Sequence, residues 1–215
     1  MNTRAEKIRL RDRILEAALP HVAFDGWTRR ALVAGARDAE LDAADALRAF
    51  PQGGRQAVEH FSDIGDRRMA ETLATADLAQ LPARTRIAQA VRARLEAVGP
   101  HREAARRALG LLALPFNAPL AAELTARTVD AMWRAVGDRS ADFSYYTKRA
   151  TLAAIYAATV LCWLADDSEG STATWAFLER RLDDVQSLRR LAPGAILDRF
   201  GFGGGHPRRR APMGS

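Results

Sequence analysis

The sequence predicts an all-α fold, a helical bundle of about nine helices, and three observations carry that expectation. Nearly every segment spaces apolar residues at i, i+3, i+4 and i+7, no stretch alternates apolar with polar residues over strand length, and prolines and glycines cut the chain at helix-length intervals. A composition of 48% apolar and 27% charged residues over 215 positions is that of an ordinary folded chain, long enough to bury one substantial core.

The elements follow in order. A first helix is expected over 4–19, with Leu15, Ala18, Leu19 and Val22 on one face and Pro20 kinking or ending it. After Gly26, Thr28 caps a short second helix through Ala36, and Asp42, with Asp45 three residues on, caps a third that stops before Pro51. Beyond the turn Pro51–Gly54 a longer fourth helix runs to about Ala76, a fifth covers 85–98, and a sixth covers 101–114. The segment LPFNAP, 114–119, breaks helicity twice, because each proline lacks an amide donor and restricts its predecessor. A seventh helix then carries Val129, Met132, Trp133 and Val136, an eighth runs from Tyr145 to about Leu164, and a ninth, capped by Ser171 or Thr172, lines up Trp175, Leu178, Leu182 and Val185.

Charge and cysteine usage narrow the partners. The net charge of +6 is terminal: residues 1–13 carry five basic against two acidic side chains and residues 187–215 six against one, leaving the body slightly acidic. Cationic ends on such a body suit an anionic membrane surface as well as nucleic acid. Cys162 is the sole cysteine, which excludes an intrachain disulfide and fits a reducing compartment. The start of the chain has no apolar signal region, and Ala150–Ala165, sixteen uncharged residues, reads as a core helix rather than a membrane span. The expected location is cytoplasmic.

No catalytic residue, metal site or cofactor is expected. His21, His60, His101 and His206 stand far apart without HExxH or Glu-x-x-His spacing, Gly203–Gly205 precede no helix, and no G-x-S-x-G elbow is present. The segment DFSYYTKR, 142–149, instead mixes three aromatics with charges immediately before the longest uncharged run. It suits either a recognition surface or a cap over the core at the mouth of a buried helix.

The first three helices followed by AFPQGGRQAVEHF, 49–61, resemble the N-terminal domain of tetracycline-repressor-type regulators. The would-be recognition helix argues against DNA readout, since Glu40, Asp42 and Asp45 gather at its start and Arg48 is its only base. The helix-turn-helix is read as degenerate, with no specific nucleic-acid partner; a repressor-type regulator with a small-molecule pocket is the alternative function.

Four segments resemble the CoQ-nine family of ubiquinone biosynthesis: ILEAALPHVAFDGWT (14–28), LALPFNAP (112–119), TVDAMWRAVGDRSADFSYYTKRATLAAIYAATVL (128–161) and TWAFLERRLDDV (174–185). The resemblance implies a non-enzymatic lipid-binding protein of tetracycline-repressor-like fold. It would hold an isoprenoid quinone intermediate or phospholipid and present the quinone to the demethoxyubiquinone hydroxylase. The implied partner-facing patch is Asp142, Phe143, Tyr145, Tyr146 and Arg149, with Leu114, Pro115, Asn117, Asp130 and Trp133 beside it. Leu111, Leu112, Met132, Val136, Leu152, Ile155 and Tyr156 are the expected pocket residues. Ile196, Leu197, Phe200 and Phe202 would dip weakly into an anionic membrane interface. Three regions result: 1–53 helix-turn-helix-like, 54–191 a lipid-binding bundle, and 192–215 an amphipathic patch with a basic flexible tail. The resemblance further implies a homodimer lying peripherally on the inner face of a bacterial membrane.

Overall fold

The computed structural model describes residues 3–137 and 144–191, and among these it is all-α, with nine α-helices and three short 3-10 turns. In chain order they are α1 (Arg4–Asp25), α2 (Arg29–Asp38), α3 (Ala43–Ala49), α4 (Gly54–Ala74), α5 (Ala83–Glu96), α6 (Arg102–Leu112), α7 (Ala118–Ala135), α8 (Ser144–Ala165) and α9 (Thr172–Leu191). The border expected at residues 53 and 54 falls at the start of α4. Asp142 and Phe143, and the membrane candidates Ile196, Leu197, Phe200 and Phe202, lie outside the described residues.

Local chemistry explains the starts of the first three helices. The Thr3 hydroxyl accepts from the Glu6 amide while the Glu6 carboxylate accepts from the Thr3 amide, closing a capping box. The Thr28 hydroxyl accepts from the Ala31 amide, and Asp45 accepts from the amide of Asp42. Pro20 neither ends nor stops α1, which runs on to Asp25 and ends at Gly26 with φ of +71°. Leu19 and Val22, buried on either side of the proline, supply the packing that outweighs its missing hydrogen bond. Helix α2 crosses α1 so closely at Gly35 that an added Cβ would lie 2.5 Å from Ala18.

The N-terminal helices are docked on the bundle. Trp27 donates from Nε1 to the Ala104 carbonyl of α6 and packs at a tilt against the Phe61 ring of α4, with ring centroids 5.3 Å apart. Asp12 of α1 accepts from His60 and Arg67 of α4. On α3, Arg48 is held by Asp45 at 2.6 Å, so the one base of that helix is already paired.

Helices α7 and α8 run antiparallel, because Asp130 late in α7 pairs with Arg149 early in α8, while early α7 and late α8 wall the same cavity. Carbonyls at the end of α8 are capped from α6, by Arg102 on Trp163, with a second bond to Asp166 just past the helix, and by Arg106 on Leu164. The cap of α9 differs from the expected Ser171 or Thr172. The Ser168 hydroxyl accepts from the Ala173 amide, and the Asp166 carboxylate accepts from both the amide and the hydroxyl of Thr174. Ser168, which donates to the Asp166 carboxylate from both its hydroxyl and its amide, and then Thr174 hold Asp166 well below the usual carboxylate range. The chain turns sharply before α9, so the capping groups come from residues further back than linear spacing suggests.

Candidate functional site

A cavity of about 330 Å³ opens among α4, α5, α6, α7 and α8. Its position follows from small side chains at helix crossings. Ala105 and Ala108 on α6, Ala113 just past its end, Ala121 on α7 and Ala157 on α8 leave space that Phe61, Leu95, Leu109, Leu124 and Trp163 wall but do not fill. Leu161, 59% exposed, lines it on the solvent side together with exposed Ala113 and Ala157, and these mark the mouth.

The far wall is polar. Arg94 of α5, 5% exposed, donates from Nε to Asp66 at 2.6 Å and from Nη2 to the carbonyl and hydroxyl of Ser62, at 3.3 and 3.4 Å. Buried Thr128 of α7 donates to the same Asp66 carboxylate at 2.9 Å. The guanidinium lies against the backbone of α4 at Gly65, where an added Cβ would come within 2.5 Å of it. Burial pushes the Asp66 carboxyl above its ordinary value, with Arg94 and Thr128 pulling the other way. Tyr156 also lines the cavity, and burial pushes its hydroxyl up as well. Among the described residues, neither the Tyr156 hydroxyl nor Arg94 Nη1 has a hydrogen-bond partner.

The expected pocket residues divide. Leu112 and Tyr156 line the cavity, whereas Leu111 is not among its lining residues, and Met132, Val136, Leu152 and Ile155 are buried core away from it. Helical periodicity marks the buried face of a helix but not which part of that face meets a void. Arg94, Asp66, Ser62 and Thr128 were not expected. The signal for Arg94 is readable in retrospect: it interrupts the stripe Ile87, Val91, Leu95, Val98 at a core-facing position, where a charge requires a buried partner.

The expected partner patch also divides. At the junction of late α7 with early α8, Asp130 pairs with Arg149, Lys148 Nζ lies 5.8 Å from the Trp133 ring centroid, and Tyr146 is 76% exposed. Tyr145 sits in the first turn of α8. Leu114, Pro115 and Asn117 are not beside these residues. They stand at the other end of α7, roughly 24 Å away at about 1.5 Å per helical residue. Asn117 is buried rather than partner-facing, because its amide donates to the Leu111 carbonyl at 2.9 Å. The exposed aromatic at that end is Phe116, at 73%, close in sequence to the lining residues Leu112 and Ala113.

Among the described residues no group of three His, Cys, Asp or Glu side chains gathers as a metal site, and no single helix is long and apolar enough to cross a membrane.

Comparison with known proteins bears on this architecture. The COQ9 family model matches residues 118–189. The ubiquinone biosynthesis protein COQ9, mitochondrial, of Drosophila melanogaster is 38% identical over 184 residues, 84% of this chain and 56% of the relative. The human protein of that name is 38% identical over 186 residues, 83% of this chain and 58% of the relative. The chain thus spans somewhat over half the length of the curated relatives it matches. A TetR transcriptional regulator from Nitrosomonas europaea shares the fold, with a TM-score of 0.67 over 81% of this chain and 97% of the regulator, at 23% identity. One expectation is corrected: the matching relatives are mitochondrial proteins, which overturns the location on the inner face of a bacterial membrane.

Proposed function

This chain belongs to the COQ9 family, whose curated members are ubiquinone biosynthesis proteins, and on that premise we propose that it is a non-enzymatic lipid-binding accessory protein. In this reading it holds an isoprenoid quinone intermediate in the α4–α8 cavity and presents it to the demethoxyubiquinone hydroxylase.

The observation that carries the reading is the cavity itself: about 330 Å³, walled by Phe61, Leu95, Leu109, Leu124 and Trp163, with an apolar mouth at Leu161. Exposing an isoprenoid tail to water costs about 25 cal/mol per Å² of apolar surface, so a lipid leaving a membrane favours a walled apolar site. The patch of Tyr146, Lys148, Arg149, Asp130 and Trp133 is the surface we assign to the hydroxylase, since it joins exposed aromatic area to charge at one helix junction.

The test is to plug the cavity. Ala121→Trp places an indole in the space beside Leu124, and ubiquinone with a short tail should no longer bind by calorimetry while thermal unfolding stays near that of the wild type. Undiminished binding in a folded variant would remove the cavity from the mechanism.

A further inference from the structure

Resting on the reading of the cavity as a lipid site, we propose that its polar wall is a subsite for the oxygen-bearing ring of a neutral lipid, held by Tyr156 and Arg94, with the apolar tail leaving through the mouth at Leu161. Four observations lead there.

Size comes first. About 330 Å³ lies at the low end of the ~300–1,000 Å³ typical of small-molecule pockets, so a ring and the first part of a tail fit but a long isoprenoid chain does not. One end of such a lipid stays outside, and the polarity of the walls decides which. Arg94 and Thr128 are buried at the inner wall, whereas the mouth carries exposed Leu161 and Ala113, with exposed Leu114 and Phe116 following in sequence. A tail can continue over that apolar rim; a polar head there would leave the inner donors without a partner.

Hydrogen-bonding capacity comes next. The Tyr156 hydroxyl can donate or accept, and Arg94 Nη1 can donate, and neither has a partner among the described residues. Carbonyl, hydroxyl or methoxy oxygens on a quinone or phenol ring satisfy both groups. Charge then selects the head. Arg94 is neutralised by Asp66 at 2.6 Å, so the wall offers dipoles without net positive charge, and a phosphate pressed against it would meet a buried carboxylate. The site is also preorganised: the guanidinium is fixed through Nε and Nη2 and seated on Gly65, so little ordering remains for a ligand to impose.

The experiment titrates wild type and Tyr156→Phe with three probes: ubiquinone bearing two isoprene units, an isoprenoid hydrocarbon of matched tail without the ring, and short-chain phosphatidylglycerol. Because the Tyr156 hydroxyl has no partner within the described protein, the phenylalanine variant should unfold at the wild-type temperature. The proposal predicts that wild type binds the ubiquinone most tightly, and that Tyr156→Phe weakens it about fivefold, the worth of one hydrogen bond, leaving the hydrocarbon unchanged. Equal affinity for ubiquinone and hydrocarbon, or unchanged ubiquinone binding in Tyr156→Phe, overturns the ring subsite while the lipid reading stands. Tighter binding of phosphatidylglycerol than of ubiquinone overturns the neutral-head assignment. Binding of none of the three overturns the lipid reading and the subsite with it.

Discussion

Arg94–Asp66 on the cavity wall and Arg149–Asp130 at the patch are both arginine–carboxylate pairs, yet their side chains are 6% and 14% exposed in the first and 18% and 40% in the second. The first pair joins α5 to α4 inside the protein, and its carboxylate is also bound by Thr128 of α7, so three helices meet on it. The second lies half in solvent beside Lys148, Trp133 and exposed Tyr146. The same chemistry therefore does different things at neighbouring positions of α7, inward at Thr128 and outward at Asp130. A buried charge pair fixes geometry because neither partner tolerates the loss of the other, whereas a half-exposed one is worth little to stability and lies at the surface.

The sharpest way to break the comparison is Arg94→Ala. It leaves Asp66 buried and without its cation, and unfolding by denaturant should show a loss of about 3–5 kcal/mol at neutral pH. The sign of the pH dependence follows from Asp66, whose carboxyl burial already raises. Without Arg94 it rises further and the folded variant takes up a proton, so the deficit should shrink as pH falls toward the acid range. A deficit that stays constant with pH would mean that lost packing rather than stranded charge is the cause.

Next in size is Tyr146→Ala. The side chain is largely in solvent, so unfolding should move by no more than about 0.5 kcal/mol. Affinity for the hydroxylase, measured by surface plasmon resonance, should fall by about 2 kcal/mol, with uptake of short-tail ubiquinone unchanged. Loss of ubiquinone uptake in this variant would show that the patch and the cavity act as one site. Asp130→Ala sharpens the contrast with Arg94→Ala, since breaking a half-exposed pair should cost about 1 kcal/mol or less.

The smallest effect concerns α1 and α4. Burial pushes His60 below its ordinary value, against Asp12 and Asp63, which pull it up, and Arg11, which adds to the depression. A histidine with a lowered folded value contributes stability present above about pH 6.5 and lost as pH falls through the folded value. His101 is lowered too, first by burial and then by Arg68. Stability of the wild type should therefore decline as pH falls below about 6.5, and His60→Gln should flatten part of that decline.

How much of this was legible in the sequence depends on how local the cause is. Thr28 and Asp42 with Asp45 announce their helix starts because capping is decided within four residues. Pro20 misleads as a stop signal only, since what carries α1 past it is the burial of Leu19 and Val22 against other elements. At the site, the aromatic cluster drew attention to the α7–α8 junction, and Leu112 and Tyr156 were found as cavity residues. Met132, Val136, Leu152 and Ile155 share the same apolar periodicity yet pack into solid core, and no pattern along one helix can register a void made by alanines on several helices. Asn117 was misplaced for a related reason: the bond from its amide to Leu111 turns it inward, and Phe116 is what the turn exposes.

The central claim is that the α4–α8 cavity holds an isoprenoid lipid. Its most direct test is to purify the protein without detergent, extract it with organic solvent, and identify copurified lipid by mass spectrometry against a mock purification and against Ala121→Trp. The prediction is a near-stoichiometric isoprenoid quinone in the wild type that is depleted in the plugged variant. Equal amounts of lipid in both proteins, or none in the wild type above the mock level, would contradict it.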